Sequence, residues 1–446
     1  MKRSSLCVCL FLAVVAVPAA LPAQTPTFSS IHQISTGVAN AENSSLLLSG
    51  NFNGDGNTDL VVGVLSTANA VTTRFLTGDG KGNFTVEGPV NPALETPGSV
   101  SLVADVNGDG KDDIISLVPG CQGSACNNAD GPNGTLTVFL SRGEGNFTPG
   151  FIGTLAPGLN QVEGVVGDFN DDGKPDVAVL EYVTSFSGNP PPKRPAMLVI
   201  FINQGDGTFA QTTYQTPENL WANGTNVTNM VTGDFEGNGN QDIAFVFDTG
   251  MDPSAGTPNA YPEVLTFAGN GKGAFGPGVV SYTFDSLFPF VPQGDLFAGD
   301  LNGDGRTDLV IGIDGKPAAG KALRVPSLLA DTSGRFSWSS AVYLDTSSGG
   351  PVIVVSDLNG DGIPDLLFFD PPFGVASPQT AHAGFYLGLG NGAFKTPHTP
   401  VTFSFIPTPN HGSIAAVPLK KGALPSLFFF DTNLPDIQMR INTTKQ

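Results

Sequence analysis

Residues 300–312 read DLNGDGRTDLVIG: oxygen-bearing side chains at alternate positions, glycines between them, then an apolar run. Asp300, Asn302 and Asp304 alternate, Gly305 permits a sharp bend, and Asp308 returns just before the apolar residues. Asp, Asn and Gly at such spacing are turn chemistry, and the short apolar run behind them is strand chemistry. One stretch of this kind reads as a surface turn. Five more in register change the reading: NFNGDGNTDLVVG from Asn51, DVNGDGKDDIISL from Asp105, DFNDDGKPDVAVL from Asp168, DFEGNGNQDIAFV from Asp234 and DLNGDGIPDLLFF from Asp357. Successive starts lie 54, 63, 66, 66 and 57 residues apart. A degenerate copy, VPLKKGALPSLFFF, follows 61 residues after Asp357 with Pro418 in first place. Self-similarity at such a period marks a solenoid, propeller or array.

The other parts of each repeat keep one order. An apolar run such as 164–166 enters the acidic loop, a second leaves it (177–180), and a third follows a variable loop (197–202). A Gly-rich turn then ends in Phe84, Phe147, Phe209, Phe275, Phe336 or Phe394, and the residues after it form a fourth run. Four β-rich segments with turns between them make one four-stranded blade. No stretch after the N-terminal segment has helical periodicity, so helix content is expected to be low. Residues 412–442 supply three strand candidates, whereas Phe28, Ile31 and Ile34 resemble a fourth strand without its first three. Joining the two closes a ring and removes an exposed sheet edge. The expected fold is all-β, a single seven-bladed β-propeller of four-stranded blades over residues 24–446, the N-terminal strand completing the last blade. An open array of repeats would leave the complementary ends unexplained.

On these motifs the chain resembles the FG-GAP/VCBS repeat family, whose propeller type is also found in the head of integrin α chains. Six acidic loops and six Gly-rich turns ending in Phe carry the resemblance along essentially the whole chain after residue 23. The resemblance implies calcium in the loops and a binding or adhesion role. It names no ligand, because propellers host binders and enzymes alike.

The loops argue for calcium on their own chemistry as well. Hard oxygens at alternate positions suit Ca²⁺, whereas Mg²⁺ prefers a tighter octahedron that keeps several waters. The expected ligands are Asn51, Asn53, Asp55, Asn57 and Asp59 in the first loop and Asp105, Asn107, Asp109, Lys111 and Asp113 in the second. They are Asp168, Asn170, Asp172, Lys174 and Asp176 in the third and Asp234, Glu236, Asn238, Asn240 and Asp242 in the fourth. The last two sets are Asp300, Asn302, Asp304, Arg306 and Asp308, then Asp357, Asn359, Asp361, Ile363 and Asp365. The seventh-position residue contributes its backbone carbonyl. An EF-hand needs Glu at the twelfth position; the four loops richest in carboxylate have Ser116, Val179, Ile311 and Phe368 there, and the ninth-position Asp closes the loop instead. Up to six structural Ca²⁺ are expected. The weakest belong at Asn51, where two carboxylates remain, and at Asp234, where Glu236 is a longer ligand. The seventh copy has Pro418, Lys420, Gly422 and Ser426 at the ligand positions and holds none.

Charge points the same way. The chain of 446 residues has 20 basic and 40 acidic residues, a net charge of −20, and 17 of the acids stand at ligand positions. Carboxylates ~4 Å apart repel by roughly 4 kcal/mol at an effective dielectric of ~20, which a bound cation relieves. So anionic a surface repels phosphate backbones and argues against a nucleic-acid partner. Lys2 and Arg3, the apolar run 6–17 and the small residues up to Ala23 read as a signal peptide over 1–23. No other stretch reaches the ~18 apolar residues of a membrane span. The mature chain is therefore expected to be secreted, periplasmic or at the cell surface, with a net charge of −22 and only Cys121 and Cys126. A local disulfide is the default there; a two-thiolate metal site is the alternative, although zinc sites normally need four ligands.

If the acidic loops share one face of the disc, the long loops 119–134, 182–196, 248–262 and 370–383 share the other. Tyr182, Phe186, Tyr261 and Phe373, with Trp221, Phe288 and Phe290 between blades, are candidate anchors for an extracellular protein or a polysaccharide. No G-x-S-x-G, H-E-x-x-H or paired C-x-x-C motif is present, so no catalytic residue is assigned. The leading expectation is a binding or adhesion module; the alternative is a polysaccharide lyase or hydrolase with its site in scattered loop residues.

Overall fold

The computed structural model describes residues 24–38, 41–66, 71–90, 100–120, 132–159, 161–182, 196–216, 226–248, 262–284, 296–312, 323–344, 352–370, 380–396, 398–404, 412–431 and 436–445. The expected signal segment, Cys121, Cys126 and the aromatic anchors other than Tyr182 lie outside them.

Seven antiparallel sheets succeed one another along the chain as the blades of a propeller, and no helix occurs among the described residues. Blade 1 is Ala41–Gly50, Asp59–Ser66, Val71–Gly78 and Phe84–Pro89; blade 2 is Val100–Ala104, Asp113–Val118, Asn133–Ser141 and Phe147–Pro157. Blade 3 is Gln161–Gly167, Asp176–Tyr182, Met197–Asn203 and Phe209–Gln215. In blade 4 the first strand is split into Asn226–Val227 and Val231–Gly233, both paired with Asp242–Asp248, before Glu263–Phe267 and Val279–Thr283. The split has a local cause. The Thr228 hydroxyl accepts from Val246 N at 3.0 Å, taking a place a backbone carbonyl would have in the ladder. Blade 5 is Leu296–Gly299, Asp308–Ile311, Leu323–Ala330 and Phe336–Leu344; blade 6 is Val352–Ser356, Asp365–Asp370, Thr380–Tyr386 and Thr399–Ser404.

Blade 7 closes the ring. Gly412–Pro418, Pro425–Asp431 and Ile437–Arg440 take His32–Ile34 as their fourth strand, pairing His32 with Met439 and Ile34 with Ile437. Ser29 N donates to Ile441 O at 2.9 Å and Thr443 N to Thr27 O at 2.8 Å, so both ends of the chain are tied at this blade. Phe28 stands before the strand proper; its ring stacks on Phe385 of blade 6 at 5.6 Å.

Burial follows strand order within a blade. Asp176–Tyr182 is buried along its whole length, because a second strand is covered by the neighbouring blade on each side and so reads as a continuous apolar run. The fourth strands are exposed at the rim, as in Phe209–Gln215, but their leading Phe turns inward. That Phe packs edge-on against the residue after the first ligand position of the preceding blade: Phe147 on Phe52 at 5.8 Å, Phe275 on Phe169 at 5.3 Å, Phe336 on Phe235 at 5.4 Å. Val106, Leu301 and Leu358 are buried at the same repeat position. Each acidic loop is thereby anchored at the seam between two blades.

Candidate metal centres

Every acidic loop joins a first strand to a second, and its side-chain oxygens are ordered by bonds to its own backbone. The first-position carboxylate spans the bend: Asp105 accepts from Gly108 N (2.8 Å), Asp109 N (3.1 Å) and Gly110 N (2.8 Å). Asp300 does the same with Gly303 N (2.7 Å) and Gly305 N (2.9 Å), and Asp357 with Gly360 N (2.7 Å) and Gly362 N (2.9 Å). The third-position amide oxygen accepts from the fifth residue, as Asn107 from Asp109 N at 3.0 Å. The fifth-position carboxylate accepts from the seventh, as Asp304 from Arg306 N at 2.9 Å. Such turns need left-handed backbone at the fourth position; in blade 3 Asp171 adopts it at φ 58°, a conformation Asp tolerates better than most side chains.

The ninth-position Asp is the buried member of the set. Asp113 accepts from Val106 N (3.1 Å) in its own loop and from Ser141 N (2.8 Å) at the turn between the third and fourth strands. Asp176, Asp242, Asp308 and Asp365 make the same pair of bonds, and Asp59 makes them to Asn53 N and Gly78 N. Burial outweighs these amides and pushes the carboxyls up, to about 6 in Asp59, Asp113, Asp176, Asp242 and Asp308 and about 7 in Asp365. In Asp113 the charges of Asp109 and Asp105 add to the rise, so the three carboxylates of one loop feel one another.

The donor set fits a hard divalent cation: carboxylate and amide oxygens, with the seventh-position carbonyl, and lone pairs remaining after the backbone bonds. Among the described residues, no three His, Cys, Asp or Glu side chains are drawn together into a cage of their own. Cationic side chains stand in three loops instead. Lys111 Nζ lies 3.2 Å from Asp109 Oδ2, Lys174 Nζ 2.7 Å from Asp172 Oδ2, and Arg306 pairs with Asp304. The Lys174 hydrogen bond lowers the Asp172 carboxyl below its ordinary range.

Several contributors were hidden from a sequence reading. The second-position carbonyls are tied to the next blade: Ser141 Oγ donates to Phe52 O (2.7 Å), Asn203 Nδ2 to Val106 O (2.8 Å), Gly273 N to Phe169 O (2.8 Å) and Asn442 Nδ2 to Leu358 O (2.8 Å). Between blades 1 and 2, Asn51 N donates to Asp112 Oδ2 at 2.6 Å. In blades 2 and 3 the sequence signal is the Ser or Asn that ends the third strand. Tyr182 corrects an expectation. It is not an exposed anchor but lies at 6 % exposure in the cluster with Leu180 and Leu198, because it belongs to a second strand.

The family model of the FG-GAP-like repeat matches residues 51–116 and 300–368, so the chain carries FG-GAP-like repeats. No curated protein matches the sequence. Among solved structures the chain is similar to a Bacillus licheniformis rhamnogalacturonan lyase, at 12 % identity over 88 % of this chain and 81 % of that one, with a TM-score of 0.37. It is also similar to an exotype rhamnogalacturonan lyase (12 %, covering 87 % and 81 %, TM-score 0.34). A third is the Aleuria aurantia lectin, solved with alpha-methyl-L-fucoside (10 %, covering 82 % and 97 %, TM-score 0.36). Likenesses this distant carry no function across.

Proposed function

Starting from a seven-bladed propeller with FG-GAP-like repeats, we propose that the protein is a secreted, calcium-stabilised binding module for an extracellular protein or polysaccharide. The observation that carries this reading is the repeated loop itself: six copies keep oxygens in register at a blade seam, while the seventh has lost them. The first-, third-, fifth- and ninth-position side chains and the seventh carbonyl would hold each ion. Bound Ca²⁺ would neutralise the carboxylates, and six ions would take the mature charge from −22 to −10. The carboxylates bind and order; the ties from the carbonyls of Phe52, Val106, Phe169 and Leu358 to the next blade couple those loops to the packing of the ring. Ion binding is in this way linked to stability of the whole ring. A rigid disc so built presents its loops as a fixed surface for a partner.

Residues 24–446, melted in calcium and in a chelator, test the metal. The expected result is a lower melting temperature in chelator; an unchanged melt would remove calcium from the proposal. Incubation with insoluble polysaccharides and cell-surface preparations tests the module. Depletion of the protein without product supports it, whereas released sugar or an unsaturated product replaces it with a carbohydrate-active enzyme.

A further inference from the structure

The loop from Asn51 departs from the others in a way its low carboxylate count does not reveal. In four other loops the fifth-position Oδ2 is occupied: by Lys111 on Asp109, Lys174 on Asp172, Asn302 and Arg306 on Asp304, and Asn359 on Asp361. The fifth position of the remaining loop is Asn238, whose Nδ2 donates to Glu236 Oε2 at 2.6 Å. Asp55 accepts from Asn57 N through Oδ1 at 2.8 Å, and among the described residues its Oδ2 receives no donor. Asp55 belongs to the lining of a groove of about 900 Å³ between blades 1 and 2. The groove takes Asn53, Asp55 and Asn57 from the loop, Thr77 and Glu87 from the outer hairpin of blade 1, and Arg142 from the turn of blade 2.

Its walls are already ordered. Thr77 Oγ1 donates to Glu87 Oε1 at 2.8 Å, and Arg142 Nε donates to Thr148 Oγ1 at 3.1 Å. The volume lies within the range of roughly 300–1,000 Å³ usual for small-molecule sites. The lining is unusual in being dominated by amides, hydroxyls and charges of both signs, four carboxylates against two cations. Such a wall cannot favour an apolar ligand, and its excess of carboxylate disfavours a polyanion. It matches a ligand rich in hydroxyl groups, each able to donate to a carboxylate and accept from an amide or guanidinium.

We infer that the groove between blades 1 and 2 is a binding site for a neutral oligosaccharide, formed around the cation of the Asn51 loop. This rests on the calcium reading above. With Asp55 and Asp59 as its only carboxylates, the loop just balances a divalent charge where the others exceed it, and its five protein oxygens fall short of the six to eight that Ca²⁺ accepts. Sugar hydroxyls entering the groove supply the missing oxygens. Blade 1 therefore recognises the ligand with the loop that is poorest as a purely structural site.

The test titrates residues 24–446 with neutral cello-, xylo- and manno-oligosaccharides and with an oligogalacturonide, in calcium and in chelator, by calorimetry. Asp55→Asn, Glu87→Gln and Arg142→Gln are compared with Asp304→Asn as a control in blade 5, outside the groove lining. The melt of each sample is recorded in both buffers. A neutral oligosaccharide is expected to bind in calcium only, each groove variant weakening it by ~10-fold or more, the loss of about one charged hydrogen bond. The control is expected to stay within ~2-fold, as for a site remote from the ligand. Binding that ignores the groove variants, binding of the oligogalacturonide alone, or no binding by any neutral probe would overturn the inference. If calcium still raises the melt, only the groove fails; if it does not, the calcium reading fails first.

Discussion

Blades 5 and 7 build the same corner from different chemistry. In blade 5 the buried carboxylate of Asp308 accepts from Leu301 N at 3.0 Å and Ala330 N at 2.9 Å. In blade 7 the residue in that place is Ser426, also buried, and its hydroxyl accepts from Asn442 N at 3.1 Å. The apolar plug survives, with Leu419 for Leu301, and Thr58 N of blade 1 still donates to Leu419 O at 2.9 Å. Blade 7 has meanwhile lost every carboxylate of its loop. The corner therefore needs a buried acceptor and an apolar plug but no charge. The carboxylates that most of the other loops keep at first and fifth positions are surplus to folding the corner, and the proposed ion would give them a use.

The comparison can be broken most severely by pH, which acts on six corners and spares the seventh. Without calcium, the folded ninth-position carboxyls sit at about 6, and Asp365 at about 7, above their ordinary value of 3.8. The folded state then binds more protons than the unfolded chain between these values, so stability is expected to fall as pH rises from about 4 to about 7. Asp79 and Asp172, whose carboxyls are lowered by hydrogen bonds from Asn83 and Lys174, act in the opposite sense but below that window. Saturating calcium favours the ionised form and is expected to flatten or reverse the trend. Urea midpoints in chelator that climb across the window would contradict the assignment.

Next in size is the corner itself. Asp308→Ala leaves two buried amides without an acceptor and is expected to cost roughly 2–5 kcal/mol, whereas Asp308→Ser, which imitates blade 7, should recover part of it. Equal losses for the two variants in chemical unfolding would deny that Ser426 is a substitute acceptor. Smaller is Asp304→Ala, at an exposed ligand position: about 1 kcal/mol in calcium and close to nothing in chelator. A loss of the same size in both buffers would make Asp304 a folding residue. Smallest is Lys174→Gln. Its pair with Asp172 is exposed, so the change should lie near the limit of measurement without calcium and vanish with it. A larger effect would show that the ammonium serves the loop as more than a surface partner.

Blade count and closure were legible because they rest on what lies adjacent along the chain: loop, apolar run, Gly-rich turn and Phe, repeated in order. The missing fourth strand of blade 7 was legible as a surplus at the other end. Less was legible inside the loops. Asp113 looked like a ligand equivalent to Asp105, yet its partner Ser141 lies 28 residues on, and Phe52 O is tied to Ser141 Oγ across 89 residues. Tyr182 looked exposed beside a long loop, yet its place in a second strand put it between blades.

Seven repeats, six acidic loops of unequal quality and two complementary ends follow from periodicity and side-chain chemistry, which are properties of the chain. Which oxygens are spent on backbone amides, which are capped by a neighbouring cation, and which residues, like Asp55, line a groove are settled by the folded ring. Those outcomes depend on what the next blade brings to the seam, and hydrogen bonds are made between groups that meet in space whatever their separation along the chain.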